Sequence, residues 1–313
     1  MTSEKLSAQP DGLLIIDKPA GISSAEAGNW IKRRFKFKKV GHAGTLDPIG
    51  TGVLVICINE GTKLSKILSE GNRSYEVICK LGEAMDTQDR TGKVIFEGEV
   101  PGDEQLVLDT LMSFKGDIMQ IPPMYSAKKF QGKALYKMAR EGKTIERQPI
   151  PVKVLNIEVK KVDLPRLELD VSTSKGFYVR TLCHDLGEKL GCGGHMEELR
   201  RTMHTELLLE NAVKLDELLD GGWDLLSEHF LPIESVDLPI PLLPVNREGS
   251  EEIYFGRSVK PFMIEGTPDP KALTADVVRA LSLEGEMIAL MELEKIGPNK
   301  GCWKVLRGFK PKY

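Results

Sequence analysis

Short apolar runs bounded by Gly, Pro and Asp alternate along this chain with segments whose apolar positions recur every three or four residues, the pattern of a mixed α and β fold. "GLLIIDK" predicts a buried strand over Leu13 to Ile16, and Ser23 followed by Glu26 predicts a capping box that opens a helix. That helix is expected to turn Ala27, Trp30, Ile31 and Phe35 inward. "VLVICI" (Val53 to Ile58) reads as a strand and "KLSKIL" as a short helix, so the glycine-rich stretch "GHAGTLDPIGTG", residues 41 to 52, is expected to be a loop between helix and strand. "YEVICKLG" and "GKVIFEGEV" predict two strands joined by "EAMDTQDRTG", after which "EQLVLDTLMSF" has helical spacing. "VKVLNIEVKKV" and "RLELDVSTS" return to strand alternation, and "FYVRTLCHDLGEKLG" predicts a helix ending at Gly191.

A run rich in proline, with Pro232, Pro239, Pro241 and Pro244, marks a boundary. It divides an expected main domain, 11–238, from a small β-rich module, 239–313, with 1–10 as a flexible tail. A chain of 313 residues is long enough for two such units. The formal charge of −3, from 43 basic and 46 acidic residues, excludes a broadly polycationic protein, so any affinity for nucleic acid must come from local patches. Two patches stand out. "KRRFKFKK" carries Arg33 and Arg34, and the segment 124–150 carries Lys128, Lys129, Lys133, Lys137, Arg140, Lys143 and Arg147 against Glu141 and Glu146. The five cysteines are scattered without a CxxC pair, which argues against a zinc ribbon or a disulfide framework. With a polar N-terminus and no apolar stretch of membrane length, the expectation is a soluble cytoplasmic protein.

The glycine loop lacks the lysine of a phosphate-binding G-x-x-x-x-G-K-[ST] motif, and its spacing is not that of a dinucleotide fingerprint. Between Lys39 and Glu60 its one formally charged residue is Asp47. Pro48 biases Asp47 toward an extended backbone, and the glycines are expected to leave room for a bulky ligand beside the main chain. An ordinary carboxylate, ionised at neutral pH, suits nucleophilic or electrostatic work. Taken alone, the stretch fits a plain turn at least as well.

"GHAGTLDPIGTGVL" resembles the G-H-x-G-T-L-D-P motif of the TruB family of pseudouridine synthases. Three further blocks in the same order strengthen the likeness: "LLIIDKPAGISS", "IPPMYSAKKFQGKALYKMAREG" and "SKGFYVRTLCHDLGEKLGCGGHMEELRRT". The resemblance implies an α+β fold, in which a pseudouridine synthase catalytic domain with a mixed, largely antiparallel sheet flanked by helices is followed by a PUA-like RNA-binding module. It implies isomerisation of a uridine, at position 55 in the TΨC loop of tRNA, by base flipping. It implies no metal and no organic cofactor, a tRNA T-arm as partner, no membrane and no obligate protein partner, and a monomer. By the same resemblance Asp47 is the nucleophile, attacking either C1′ of the ribose or C6 of the uracil. Tyr75 stacks on the base, Tyr178 contacts the flipped nucleotide, Arg180 pairs with Asp47, and Leu199 lines the pocket. His42 fills the space the uridine leaves, and Lys18 and Pro19 support the loop. The segment 124–150 becomes a gripping insertion whose Lys128, Lys129, Lys133 and Arg140, with Arg33 and Arg34, meet RNA phosphates. Gly50 stands where the family often has alanine, and Phe177 where a smaller residue is common.

Two other classes share these features. A non-catalytic tRNA-folding module would use the basic segments and His42 but tolerate Asn at position 47. A uracil-releasing glycosylase would share the acid but normally needs a second carboxylate to activate water.

Overall fold

A computed structural model describes residues 9–236, 240–295, 297–298 and 300–309, apart from the side chains of Lys129, Ala134, Arg140 and Glu234. The chain divides into two compact units. The first comprises Leu14–Cys57 and Leu64–His229. The second takes in Ile58–Lys63, Phe230 onwards and the stretch up to Leu13. The border expected between residues 238 and 239, and residues 1–8 of the expected tail, lie outside the described residues.

In the first unit the chain opens with β1 (Gly12–Lys18) and α1 (Ser24–Phe35). The capping box forms: Ser23 Oγ accepts from the Glu26 amide, and the Glu26 carboxylate accepts from the Ser23 amide. The inward face differs from expectation at one place. Ala27, Ile31 and Phe35 are buried, but Trp30 is 37% exposed, and Ser24 and Gly28 complete the buried stripe instead. A short strand, β2 (Val40–Ala43), then intervenes before the loop, so Gly41 and His42 are strand residues and the irregular segment is only 44–50. It leads into β3 (Thr51–Ile58), buried along nearly its whole length as a central strand covered on both faces must be.

A 3₁₀ turn and one turn of helix, α2 (Ser65–Leu68), precede β4 (Arg73–Leu81), whose buried positions alternate. The run "GKVIFEGEV" does not pair with β4. It supplies β6 (Val94–Glu97), which forms a separate hairpin with β5 (Glu83–Met85). Helix α3 (Glu104–Met112), capped by Asp103, leads to β7 (Gly116–Gln120). The basic segment holds a small hairpin, β8 (Lys129–Phe130) with β9 (Lys133–Ala134), and α4 (Leu135–Arg140). Then follow the antiparallel pair β10 (Ile150–Asp163) and β11 (Arg166–Thr173), α5 (Val179–Lys189), β12 (Gly194–His204), β13 (Leu207–Leu208), β14 (Val213–Lys214) and α6 (Leu215–His229). Gly222, at φ +66°, interrupts α6, and Trp223 beyond it meets Phe35 and Phe37 edge-on.

The large sheet runs β14-β1-β3-β12-β4-β11-β10-β7. It is parallel at β1–β14 and β3–β12 and antiparallel from β12 through β7. Helices α3 and α5 cover the antiparallel half, where Val107, Leu111, Leu182 and Leu186 pack against Val77, Cys79 and Leu169. Leu46, Ile49, Tyr75 and Leu199 belong to that same apolar cluster, so the glycine loop sits at the end of the core. In the second unit Leu242–Pro244, Val277–Leu281, Met287–Leu293 and Trp303–Gly308 form a mixed four-stranded sheet around Leu243, Val278, Met291 and Trp303. Two short helices, Arg247–Tyr254 and Pro270–Thr274, which the sequence pattern did not suggest, accompany it.

Ser23→Ala removes the side-chain half of the capping box, leaving the Ser23 amide to donate to the Glu26 carboxylate. The expected result is a loss of about 1 kcal/mol in unfolding free energy by urea titration, with the urea dependence itself unchanged.

Candidate active site

The loop 44–50 is held by hydrogen bonds to its main chain at almost every residue. Arg201, 1% exposed on β12, donates from Nη2 to the Gly44 carbonyl (3.0 Å) and from Nε to that of Val53 (2.7 Å). The hydroxyl of Ser24, at the start of α1, accepts from the Leu46 amide and donates to the Leu46 carbonyl, both at 2.9 Å. The Pro48 carbonyl accepts from the Gly21 amide at 2.8 Å and from Lys18 Nζ at 3.4 Å, and the Gly50 amide closes the turn onto the Asp47 carbonyl at 3.0 Å. Asp47 thus stands between fixed neighbours, and its aim is set by the backbone. Two of the glycines serve this packing, which corrects the expectation that they clear space for a ligand. At Gly44 (φ +68°) a Cβ would lie 2.3 Å from the His204 ring, and at Gly52 (φ +96°) 2.2 Å from the Arg201 carbonyl oxygen.

The carboxylate of Asp47 faces Arg180, the second residue of α5. Arg180 Nη2 donates to Oδ1 at 3.1 Å, and Nε stands 2.8 Å from Oδ2. Arg180 is 3% exposed, whereas the Asp47 side chain remains 30% exposed, so the pair presents its acid outward. The same guanidinium donates to the carbonyls of Thr87 (3.1 Å) and Tyr125 (2.9 Å) and lies 3.6 Å from the carboxylate of buried Asp89. A buried ion pair of this kind needs further partners for its guanidinium, and the Thr87 and Tyr125 carbonyls and the Asp89 carboxylate supply them.

Asp47 and Arg180 line a cavity of about 210 Å³ together with Tyr75, Tyr178, Leu199 and Arg73. Five of the residues singled out from sequence therefore converge. Burial raises the pKa of the Tyr178 phenol, partly offset by the nearby Ser126 hydroxyl. Leu199 also lines a larger adjoining cleft of about 620 Å³, whose walls mix Arg90, Lys160 and Arg200 with Glu76, Glu168 and Asp170.

The remaining sequence candidates lie elsewhere. His42 is on β2, outside the cavity wall, and burial, with Arg201 nearby, lowers its pKa. Lys18 is wholly buried behind the loop, where Nζ donates to the carbonyls of Pro19 (2.7 Å), Ile22 (2.9 Å) and Pro48. Burial brings its pKa down to about 8 against the opposing pull of Asp47. Arg34 is occupied in the fold, donating to the Leu219 carbonyl at 2.7 Å, and Arg33 is exposed on α1. Lys128 is exposed, Lys133 pairs with Glu141, and the side chains of Lys129 and Arg140 lie outside the described residues.

Several contributors escaped sequence reasoning. Ser24, Arg201, His204, Asp89 and Gln120 act across the fold, and no local spacing marks them. His204, fully buried with Nε2 2.9 Å from the Leu68 carbonyl, has its pKa brought down to about 3 by burial and by Arg201 and Arg73, so the imidazole against Gly44 is neutral. Among the described residues, one His-acid group has its ligand atoms within 4.8 Å: His184, Asp185 and Glu188 on α5. It lies outside the cavity, and burial beside Glu188 lifts Asp185 to about 6.

The chain that builds this cavity has clear relatives. Residues 32–179 match the model of the TruB family pseudouridylate synthase N-terminal domain, and residues 180–236 that of the tRNA pseudouridylate synthase B C-terminal domain. The protein named tRNA pseudouridine synthase B from Pasteurella multocida is 44% identical over 254 residues, which cover 80% of this chain and 83% of that one. The protein of the same name from Burkholderia lata is 42% identical over 247 residues, covering 79% and 77%. Among solved structures, a Cbf5-Nop10-Gar1 complex aligns with a TM-score of 0.72 at 25% identity, covering 96% of this chain and 85% of that chain. An archaeal box H/ACA sRNP Nop10-Cbf5 complex aligns at 0.70 with 23% identity, covering 99% and 93%. The chain belongs to the TruB family of pseudouridylate synthases.

The Lys18 ammonium carries a sign that can be tested. Its folded pKa lies below the unfolded value, so from about pH 8 to 10.5 the unfolded chain binds the extra proton and stability rises with pH. Lys18→Met removes that increment. In paired urea titrations at pH 7 and pH 10, the wild type is expected to gain on the variant as pH rises, and a constant difference would contradict the assignment.

Proposed function

We propose that this protein converts uridine to pseudouridine in tRNA, at position 55 of the TΨC loop, with Asp47 as the nucleophile. The observation that carries the reading is the placement of Asp47: its backbone fixed by Ser24, Lys18 and Gly21, its carboxylate paired to buried Arg180, at the wall of a cavity shared with Tyr75, Tyr178 and Leu199. The names of the relatives supply the substrate class.

A uridine inside a folded T-loop cannot reach a recessed carboxylate, so the nucleotide must leave its stack and enter the cavity. Arg180 orients the Asp47 carboxylate, and attack by that carboxylate at C1′ or C6 divides one difficult exchange into two easier steps. The bond between C1′ and N1 breaks, the uracil turns, and a bond forms between C1′ and C5. The C5 proton departs and N1 ends protonated, so no electrons are gained or lost. Tyr75 and Tyr178 hold the base by stacking and contact. His42, with its pKa lowered, fills the T-loop as a neutral side chain, a remodelling role that needs no proton transfer. Lys18 and Pro19 brace the turn.

The surrounding parts take roles to match. The first unit is the catalytic domain, and the β module beyond it is a PUA-like RNA-binding domain. Segment 124–150 grips the T-arm through exposed lysines such as Lys128 and Lys137. Arg33, Lys129 and Arg140 offer further phosphate contacts. The protein acts as a cytoplasmic monomer without an obligate protein partner. Among the described residues no helix is long and apolar enough to cross a membrane.

Incubation with an unmodified T-arm transcript, followed by position-resolved mapping, is expected to place pseudouridine at the T-loop uridine. Asp47→Asn should abolish that product while RNA binding stays within about tenfold, equivalent to ~1.4 kcal/mol. Turnover retained in this variant would remove Asp47 from the mechanism, and free uracil among the products would favour glycosidic hydrolysis instead. Binding of the transcript should also slow hydrogen exchange across residues 124–150, while exchange unaltered there would count against the gripping role.

A further inference from the structure

Gln120 ends β7, the edge strand of the antiparallel half of the sheet, and is 1% exposed. Its carboxamide is spent wholly on the main chain of one residue. Oε1 accepts from the Tyr178 amide at 2.8 Å, and Nε2 donates to the Tyr178 carbonyl at 3.0 Å. A side chain here does what a neighbouring strand would do. Tyr178 needs the support: it is the N-cap of α5, with extended backbone (φ −113°, ψ 109°) and no side-chain cap of its own. Its carbonyl also accepts from the amides of Thr181 and Leu182, so the first turn of α5 hangs from this residue.

The clamp closes a ring. From Tyr178 the chain reaches Arg180, whose Nη2 serves both Asp47 and the Tyr125 carbonyl. Tyr125 leads back along Ile121–Met124 to Gln120. The start of the basic segment is thereby tied to the N-terminus of α5 at two points, one at the cavity tyrosine and one at the cavity arginine. The charged side chains attached to this junction are Arg180, which faces Asp47 and Asp89, and Arg147, whose Nη1 donates to the Pro122 carbonyl.

We propose that Gln120 is a positioning residue for catalysis, which sets Tyr178 and Arg180 relative to Asp47 through its two hydrogen bonds to the Tyr178 backbone. It acts through residues that the proposed function places at the reacting nucleotide, and it rests on that reading. Loss of both bonds frees the first turn of α5, so the reaction slows after binding while RNA capture by the basic segment persists.

Two variants test this. Gln120→Met keeps the volume and loses both bonds; kcat on the T-arm transcript is expected to fall on the order of tenfold to a hundredfold with KM little changed, as a small misplacement at a reacting centre does. Gln120→Glu adds a distinctive readout. When protonated, the carboxyl accepts and donates as the amide does. When ionised, it has no donor and sets a charge against the Tyr178 carbonyl, and burial raises its pKa. Activity of Q120E relative to wild type should therefore recover as pH is lowered. Parallel pH profiles for Q120E and wild type, or a loss confined to KM, would overturn the proposal. Hydrogen exchange at the Tyr178 amide is independent of turnover: it should quicken in Q120M, or in Q120E at high pH should Q120M not fold, and unchanged protection also overturns the proposal. Wild-type turnover on the same transcript reports separately on the proposed function.

Discussion

The geometry of the candidate site turns on the position of one carboxylate, that of Asp47, and main-chain hydrogen bonds on either side set that position. Arg201, Ser24, Lys18 and the Gly21 amide reach the loop from β12, α1, β1 and the turn that follows β1, and together they fix the carbonyls and amides on either side of Asp47. Two of these anchors are buried cations that meet carbonyl oxygens, an arrangement costly in desolvation and retained only where the surrounding fold compensates it. Arg180 then approaches from the opposite side, on a helix that covers the sheet. The mixed topology makes this possible. The parallel neighbours β3 and β12 carry the loop and its arginine side by side, and the antiparallel half of the sheet supports α5.

The fold was largely legible in the chain's pattern because most elements announce themselves locally. The capping box at Ser23, the apolar run of β3 and the alternation of β10 and β11 each follow from a few adjacent residues. Failures came where the outcome depends on distant partners. Trp30 falls on the helical stripe yet is 37% exposed, because α1 buries Ser24 and Gly28 against its surroundings instead. The strand "VIFE" pairs with Glu83–Met85, a stretch too short to read as a strand. Gly41 and His42 look like loop residues in composition, but they pair as a strand beside β3.

The same division applies to the site. Asp47, Tyr75, Tyr178, Arg180 and Leu199 were reachable through the family resemblance, and all five line one cavity. Their supports were not, since Gln120 and Ser24 are ordinary residues until the fold brings them to Tyr178 and Leu46. The glycines show why composition misleads. Gly44 and Gly52 suggested open space for a ligand, yet each is there because His204 or the β12 backbone leaves no room for a Cβ. Asp89 is similar: a second carboxylate lies near the Asp47–Arg180 pair, but Arg180, Thr87 and Thr91 engage it.

Because the loop is gripped through its carbonyls and amides, the side chains it turns to solvent, Thr45 and Pro48, are not what holds it, while Leu46 and Ile49 pack into the core. Thr45 is exposed, and its link to Arg201 runs through its carbonyl. Such a scaffold separates geometry from surface chemistry: an outward side chain can be exchanged without moving the Asp47 carboxylate, because the contacts that hold the loop do not pass through it.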